Sequence, residues 1–151
     1  MGKGSRISYH LIDMLKTILS ISGKPGLYRL LSQGKNTLIV ESLQTKQRLP
    51  ILPKDKVVSL GDISMFTIEE DVPLSEVLTR VQEHQAGVPF AEELLKDGDA
   101  LRETFGEILP SYDRERVYTS DIKKLFSWYN ILLAAGITSY SDEEEATEAE
   151  Q

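Results

Sequence analysis

The stretch LSISGKPGLYRLLSQGKN, residues 19–36, sets Gly-Lys-Pro-Gly between two apolar runs. A lysine among glycines suggests a phosphate cradle. A cradle of that kind needs a strand, a longer glycine-spaced loop and then Lys-Ser/Thr opening a helix. Here the apolar periodicity gives the reverse order. Leu11, Ile12, Leu15, Ile18 and Leu19 fall at i, i+1, i+4, i+7 and i+8, one face of a helix, and Gly23 reads as its left-handed cap. Lys24-Pro25-Gly26-Leu27 then reads as a type II turn, with proline fixing φ and glycine accepting a positive φ. A strand follows.

Downstream the period shortens. LYRLLS (27–32), TLIVESL (37–43), QRLPIL (47–52), KVVSL (56–60) and ISMFTI (63–68) are short apolar runs separated by turn-prone pieces. Such spacing predicts a compact β-unit, α+β with the rest of the chain, and of small SH3-like or Sm-like barrel form. Pro50 lies inside the third run and places that strand at an edge or a bulge.

After Glu69-Glu70-Asp71 the helical period returns. Residues 73–84 carry Leu74, Val77, Leu78 and Val81 on one stripe, with Pro73 at the first helical position. A short helix over 90–98 ends at Gly98, Asp99 caps the next segment, and Pro110 closes it. Ser120 caps a last helix whose stripe is Ile122, Leu125, Phe126, Tyr129, Leu132 and Leu133, and Gly136 follows it as the cap residue. The expected organisation is an upstream extension (1–13), a β-module with its lead-in helix (14–70), a helical module (71–137) and a disordered acidic tail (138–151). Either Met1 or Met14 serves as the start.

The 151 residues contain no cysteine and two histidines, His10 and His84. Thiolate chemistry, disulfides and zinc–thiolate sites are thereby excluded. The early apolar run is broken by Asp13 and Lys16, which argues against a secretory signal, and no run approaches the length of a membrane span. The chain reads as cytoplasmic. Its net charge of −7 hides an asymmetry: residues 1–58 carry ten lysines and arginines against three acids, and the remainder carries seven against twenty-one. That split bears on partners.

Two blocks, ILSISGKPGLYRLLSQGKNTLIVESL with its ISGKPGLY signature and PSYDRERVYTSDIKKLFSWYNIL, resemble an uncharacterised Bacteroidetes-type bacterial family, a domain of unknown function, over roughly residues 14–136. The resemblance implies a bacterial cytoplasmic protein and brings no activity, cofactor or catalytic residue.

Two surfaces stand out as candidates. Lys24, Arg29, Lys35, Lys46 and Arg48 fall in or beside turns of the β-module, with Tyr28 as a stacking ring, and form a candidate nucleic-acid site. Arg114, Arg116 and Tyr118 lie in the connection before the last helix and form a candidate partner-docking site. Trp128 joins them as an anchor if exposed, or packs against a second surface. The acids at 113–121 fail as a calcium loop, because Val117, Tyr118 and Lys124 stand where a ligand, the turn glycine and the bidentate glutamate belong. Neither histidine sits in a nucleophile–base context. The expectation is a non-catalytic adaptor acting through protein–protein contacts, without metal or cofactor; RNA or ribosome binding through the basic face is the alternative. The acidic tail would compete with phosphate for that face.

Overall fold

The computed structural model describes residues 15–140. The expected extension, residues 1–13, and the tail from 141 onward lie outside the described residues. The chain folds as two compact units, one of residues 15–63 with Ser139 and Tyr140, the other Ser64–Thr138.

The first unit is a five-stranded antiparallel sheet of β1 (Ile18–Ile21), β2 (Lys24–Gly34), β3 (Thr37–Ser42), β4 (Arg48–Ile51) and β5 (Val57–Ser59), ordered β4-β3-β2-β1-β5. The expected lead-in helix is absent from 15–21: Leu15–Thr17 is one 3-10 turn, and Ile18–Ile21 is a strand. Leu15, Ile18 and Leu19 are buried, so the apolar positions were read correctly and their period was not. β1 pairs with β2 on one side and β5 on the other, and those ladders override a short helical pattern.

The opening turn is Ser22-Gly23, since Ile21 pairs with Lys24 and Gly23 has φ +84°. Pro25-Gly26 instead forms a bulge. Between Ile21 and Leu19 two steps of β1 match four of β2, from Lys24 to Tyr28. Gly26, at φ +85°, meets this strain, and Gln44 Oε1 occupies the space where a Cβ would stand.

The barrel expectation is corrected. The sheet is open, and among the described residues no ladder joins β4 to β5. The edge chemistry explains why. Ser42 N–H donates to Gln47 O (2.9 Å), so Val40–Leu49 and Leu38–Ile51 are the hydrogen-bonded pairs of the β3–β4 ladder. Pro50 therefore turns outward, where it has no N–H to offer. The next outward donor, Leu52 N–H, is taken by Asp55 Oδ2 at 2.9 Å. An edge blunted in this way cannot extend the ladder. Leu19, Ile21, Tyr28, Val40 and Ile51 pack on one face. Ile18 and Leu27, their neighbours in sequence and hence on the other face, are also buried.

The run 63–68, expected as the fifth strand, contributes only β6 (Ser64–Met65), which pairs with β7 (Val72–Pro73) in the second unit. Four helices follow: α1 (Leu74–Gln85), α2 (Glu92–Leu95), α3 (Gly98–Ile108) and α4 (Thr119–Ala134). Pro73 is the cap of α1 and not its first residue, and Asp97, whose side chain accepts from Ala100 N–H, caps α3 in place of Asp99. Tyr118 precedes α4, with its N–H donated to Asp121 Oδ2 at 2.9 Å, so Ser120 is not the cap. The predicted stripe of α4 is buried at Ile122, Leu125, Phe126, Tyr129 and Leu132. Phe90 stacks on Phe126 at 3.9 Å between centroids, and Asn130 holds its backbone, accepting from Phe90 N–H (2.8 Å) and donating to Phe90 O (3.0 Å).

Candidate functional site

In the sheet unit, register separates the predicted basic residues. Arg29, Glu41 and Arg48 lie side by side on β2, β3 and β4. Glu41 sits between the two guanidiniums, 3.9 Å from Arg29 Nη1 and 3.7 Å from Arg48 Nε. Arg29 is thus a half-buried partner of Glu41, while Arg48 stays exposed. Tyr28 is 8% exposed and belongs to the core cluster, so its ring is not free to stack on a base. Lys24, Lys35 and Lys46 are exposed. Lys35 lies on the β2–β3 hairpin, at the far end of β2 from Lys24.

A cavity of about 370 Å³ lies in this unit beside the β2–β3 hairpin and the β4–β5 connection. Its one ionisable group is Asp55, already engaged by Leu52 N–H. Another, of about 230 Å³, is lined by Tyr28, Pro25, Leu49 and neutral polar residues. Neither holds convergent titratable groups of the sort that acid–base chemistry uses.

The second unit builds a ridge that sequence reading divided. Residues 66–68 bridge the connection before α4: Ile68 N–H donates to Ser111 O (2.9 Å), Asp113 N–H donates to Phe66 O (3.0 Å), and Thr67 lies opposite Tyr112. Thr67 points inward and is buried, its hydroxyl donating to Glu70 O and accepting from Glu69 N–H. Alternation then sends Phe66 and Ile68 outward, and Ile68 is 72% exposed. The Arg116 guanidinium lies over the Phe66 ring, 3.8 Å from its centroid, with Nε 3.9 Å from Asp113 Oδ2. Tyr118, 65% exposed, follows two residues later.

Arg114 has a different task. Its Nη1 donates to Pro110 O and Tyr112 O, both at 2.7 Å, and its guanidinium covers the Tyr112 ring at 4.1 Å. It locks the connection in shape. Trp128 is half-buried on α4, nine residues past the helix start and so roughly 14 Å along the axis, away from the ridge. The predicted quartet is therefore divided: Arg116 lies over Phe66, Tyr118 is exposed two residues further on, Arg114 braces the connection, and Trp128 stands apart along α4.

Phe66 and Ile68 were missed because an alternating run reads the same whichever face is buried. The hydroxyl turn of Thr67 was the available signal. Of the histidines, His84 has its Nε2 3.0 Å from Glu107 Oε1, and His10 lies outside the described residues. Among the described residues no group of histidines and acids is placed to hold a metal. Burial pushes the Tyr129 phenol above its ordinary value, and its hydroxyl donates to Val88 O at 3.2 Å. No helix among the described residues is long and apolar enough to cross a membrane.

Comparison with known proteins gives two family matches. Residues 15–60 match the domain of unknown function DUF5606, and residues 63–132 match the domain of unknown function DUF6852. A solution NMR structure of a Bacteroides vulgatus protein, a structural genomics target, is similar at 56% identity with a TM-score of 0.69. The match covers 84% of this chain and 91% of that one. No curated protein matches.

Proposed function

This chain belongs to the bacterial family marked by DUF5606 followed by DUF6852, and from that premise we propose that it is a non-catalytic, cytoplasmic adaptor that docks a protein segment on the Phe66–Ile68–Arg116–Tyr118 ridge. The observation that carries this reading is the cation–π pair of Arg116 on Phe66 beside a largely uncovered Ile68. A guanidinium stacked on a ring and flanked by Asp113 has little freedom left to lose on binding, which favours its use as an anchor wall. Aromatic and arginine anchors dominate binding energy at interfaces.

The partner's chemistry follows from the rim. Exposed Glu69, Glu70 and Asp71 adjoin Ile68, and exposed Glu115 adjoins Arg116. Residues 64–138 carry fourteen acids against seven lysines and arginines. The occupant is a basic peptide segment with one apolar anchor, the anchor covering Phe66 and Ile68 and its lysines or arginines meeting the rim.

Peptide display against the immobilised full chain tests this. Enriched peptides should share an apolar residue flanked by basic ones, and Ile68→Asp should weaken them by at least about tenfold, since covering an aliphatic side chain is worth about 1.5–3 kcal/mol. Enrichment without such a pattern, or binding indifferent to Ile68→Asp, refutes the proposal. RNA binding in its place would rest on Lys24, Lys35, Lys46 and Arg48 without the Tyr28 ring.

A further inference from the structure

The seam between β4 and β5 is unequal on its two sides. The β4 side is blunted by Pro50 and by the bond of Leu52 N–H to Asp55. The β5 side is open. Lys56 O accepts from Ser22 N–H at 2.9 Å, so Lys56 and Val58 turn their ladder groups toward β1. Val57 therefore turns its N–H and its C=O outward, and Ser59 its N–H. Among the described residues no hydrogen bond reaches these three groups. Unmet ladder groups along one edge are a template for a further strand.

A seat for a side chain lies beside that edge. The residue directly opposite Val57 on an added strand puts its side chain next to that of Val57. Val57 lines the cavity of about 370 Å³ together with Leu38, Ile51, Leu52 and Pro53, and it packs against the core cluster. Both sides of the seam thus give the cavity apolar walls. Charge selects the rest of the segment. Lys54 and Lys56 bracket Asp55, the one ionisable group of the cavity, and Lys35 stands between two lining residues, Gly34 and Asn36. All three lysines are exposed. The acids of residues 15–63 offset them little. Asp55 is engaged by Leu52 N–H, Glu41 is shared by Arg29 and Arg48, and Asp62 lies past the other end of β5.

We infer that the β5 edge takes an extended acidic segment of a partner protein, paired to Val57 and Ser59, with one apolar side chain seated in the cavity. Backbone bonds supply the alignment, and the cavity supplies the choice of side chain. The site lies in the sheet unit, prefers the opposite charge to the ridge, and does not depend on it.

The test titrates the full chain with the peptide Ac-EETVLVTEE-amide. Hydrogen exchange at the Val57 and Ser59 amides should slow at least about tenfold with about 1 mM peptide. Two control peptides, one with lysine for every glutamate and one with asparagine for the central leucine, should bind at least about tenfold more weakly at about 50 mM salt. In the full chain, Lys54→Glu with Lys56→Glu should reverse the order of the acidic and basic peptides. Ile68→Asp should leave the acidic peptide's affinity within about twofold, since distant sites act independently. Unchanged exchange at Val57 and Ser59, or equal affinity for the acidic and basic peptides, overturns the inference. So does loss of the acidic peptide on Ile68→Asp, which would seat it on the ridge. Protection of the two amides on concentrating the chain alone also overturns it, because a second copy then holds the edge.

Discussion

Replacing Asn130 by alanine removes the clamp on Phe90. The Asn130 side chain makes both bonds that a neighbouring strand would make to Phe90, taking its N–H and supplying its carbonyl. Phe90 is 5% exposed and stacks on Phe126, so water cannot easily replace those partners. Each bond contributes about 1 kcal/mol net, and an orphaned buried group costs about 1–3 kcal/mol, so Asn130→Ala should destabilise by about 2–4 kcal/mol. With m near 1–1.5 kcal/mol/M for a unit of this size, the urea midpoint falls by roughly 2 M. Trp128, the one tryptophan, lies two residues away on α4 and reports the transition by fluorescence. Asn130→Asp serves as a control. It keeps the acceptor for Phe90 N–H but sets a second oxygen against Phe90 O, so it should not rescue stability at neutral pH. A loss below about 0.5 kcal/mol, the scale of an ordinary surface change, would refute the clamp.

Burial holds the Tyr129 proton above the ordinary tyrosine range, so the unfolded chain releases it near pH 10 while the folded chain keeps it. That stability is fully present below about pH 10 and is lost as pH rises through the folded value. Tyr129→Phe should flatten this alkaline loss in stability–pH curves, at a neutral-pH cost of about 1 kcal/mol for the bond to Val88 O. Gly61→Ala should cost more than Gly26→Ala in thermal melts, although only Gly26 has a positive φ. A Cβ on Gly61 meets Lys16 N and Cα at 2.9 Å, which are backbone, whereas Gly26 faces the movable end of Gln44. Arg114→Lys should destabilise by about 1–2 kcal/mol in urea titration, since one ammonium cannot both bond two carbonyls and stack flat on Tyr112.

The helices were legible because their stripes run over two turns or more, as Leu74 to Val81 and Ile122 to Leu132 show. Their caps were off by one or two residues, since Asp97, Gly98 and Asp99 offer two acceptors in one place and sequence does not choose between them. β1 was not legible. Nine residues with five apolar positions fit one face of a helix, and what makes Ile18–Ile21 a strand is its pairing with β2 and β5, up to forty residues away. The open sheet depended on a similarly non-local fact, the outward turn of Pro50 and the capping of Leu52 by Asp55. The ridge was half visible. Arg116 and Tyr118 stood out as charge and ring in a connection, whereas Phe66 and Ile68 belonged to a run expected as a strand of the β-unit, and only residues 111–113 fix which way they point.

A photo-crosslinking amino acid at position 68, in the full chain expressed in its own cells, tests the central claim most directly. The expected result is a protein adduct that withstands nuclease, carries a basic segment at the crosslink, and disappears on Arg116→Glu. An adduct no stronger than that from the same group placed at exposed position 124 on α4 would contradict it.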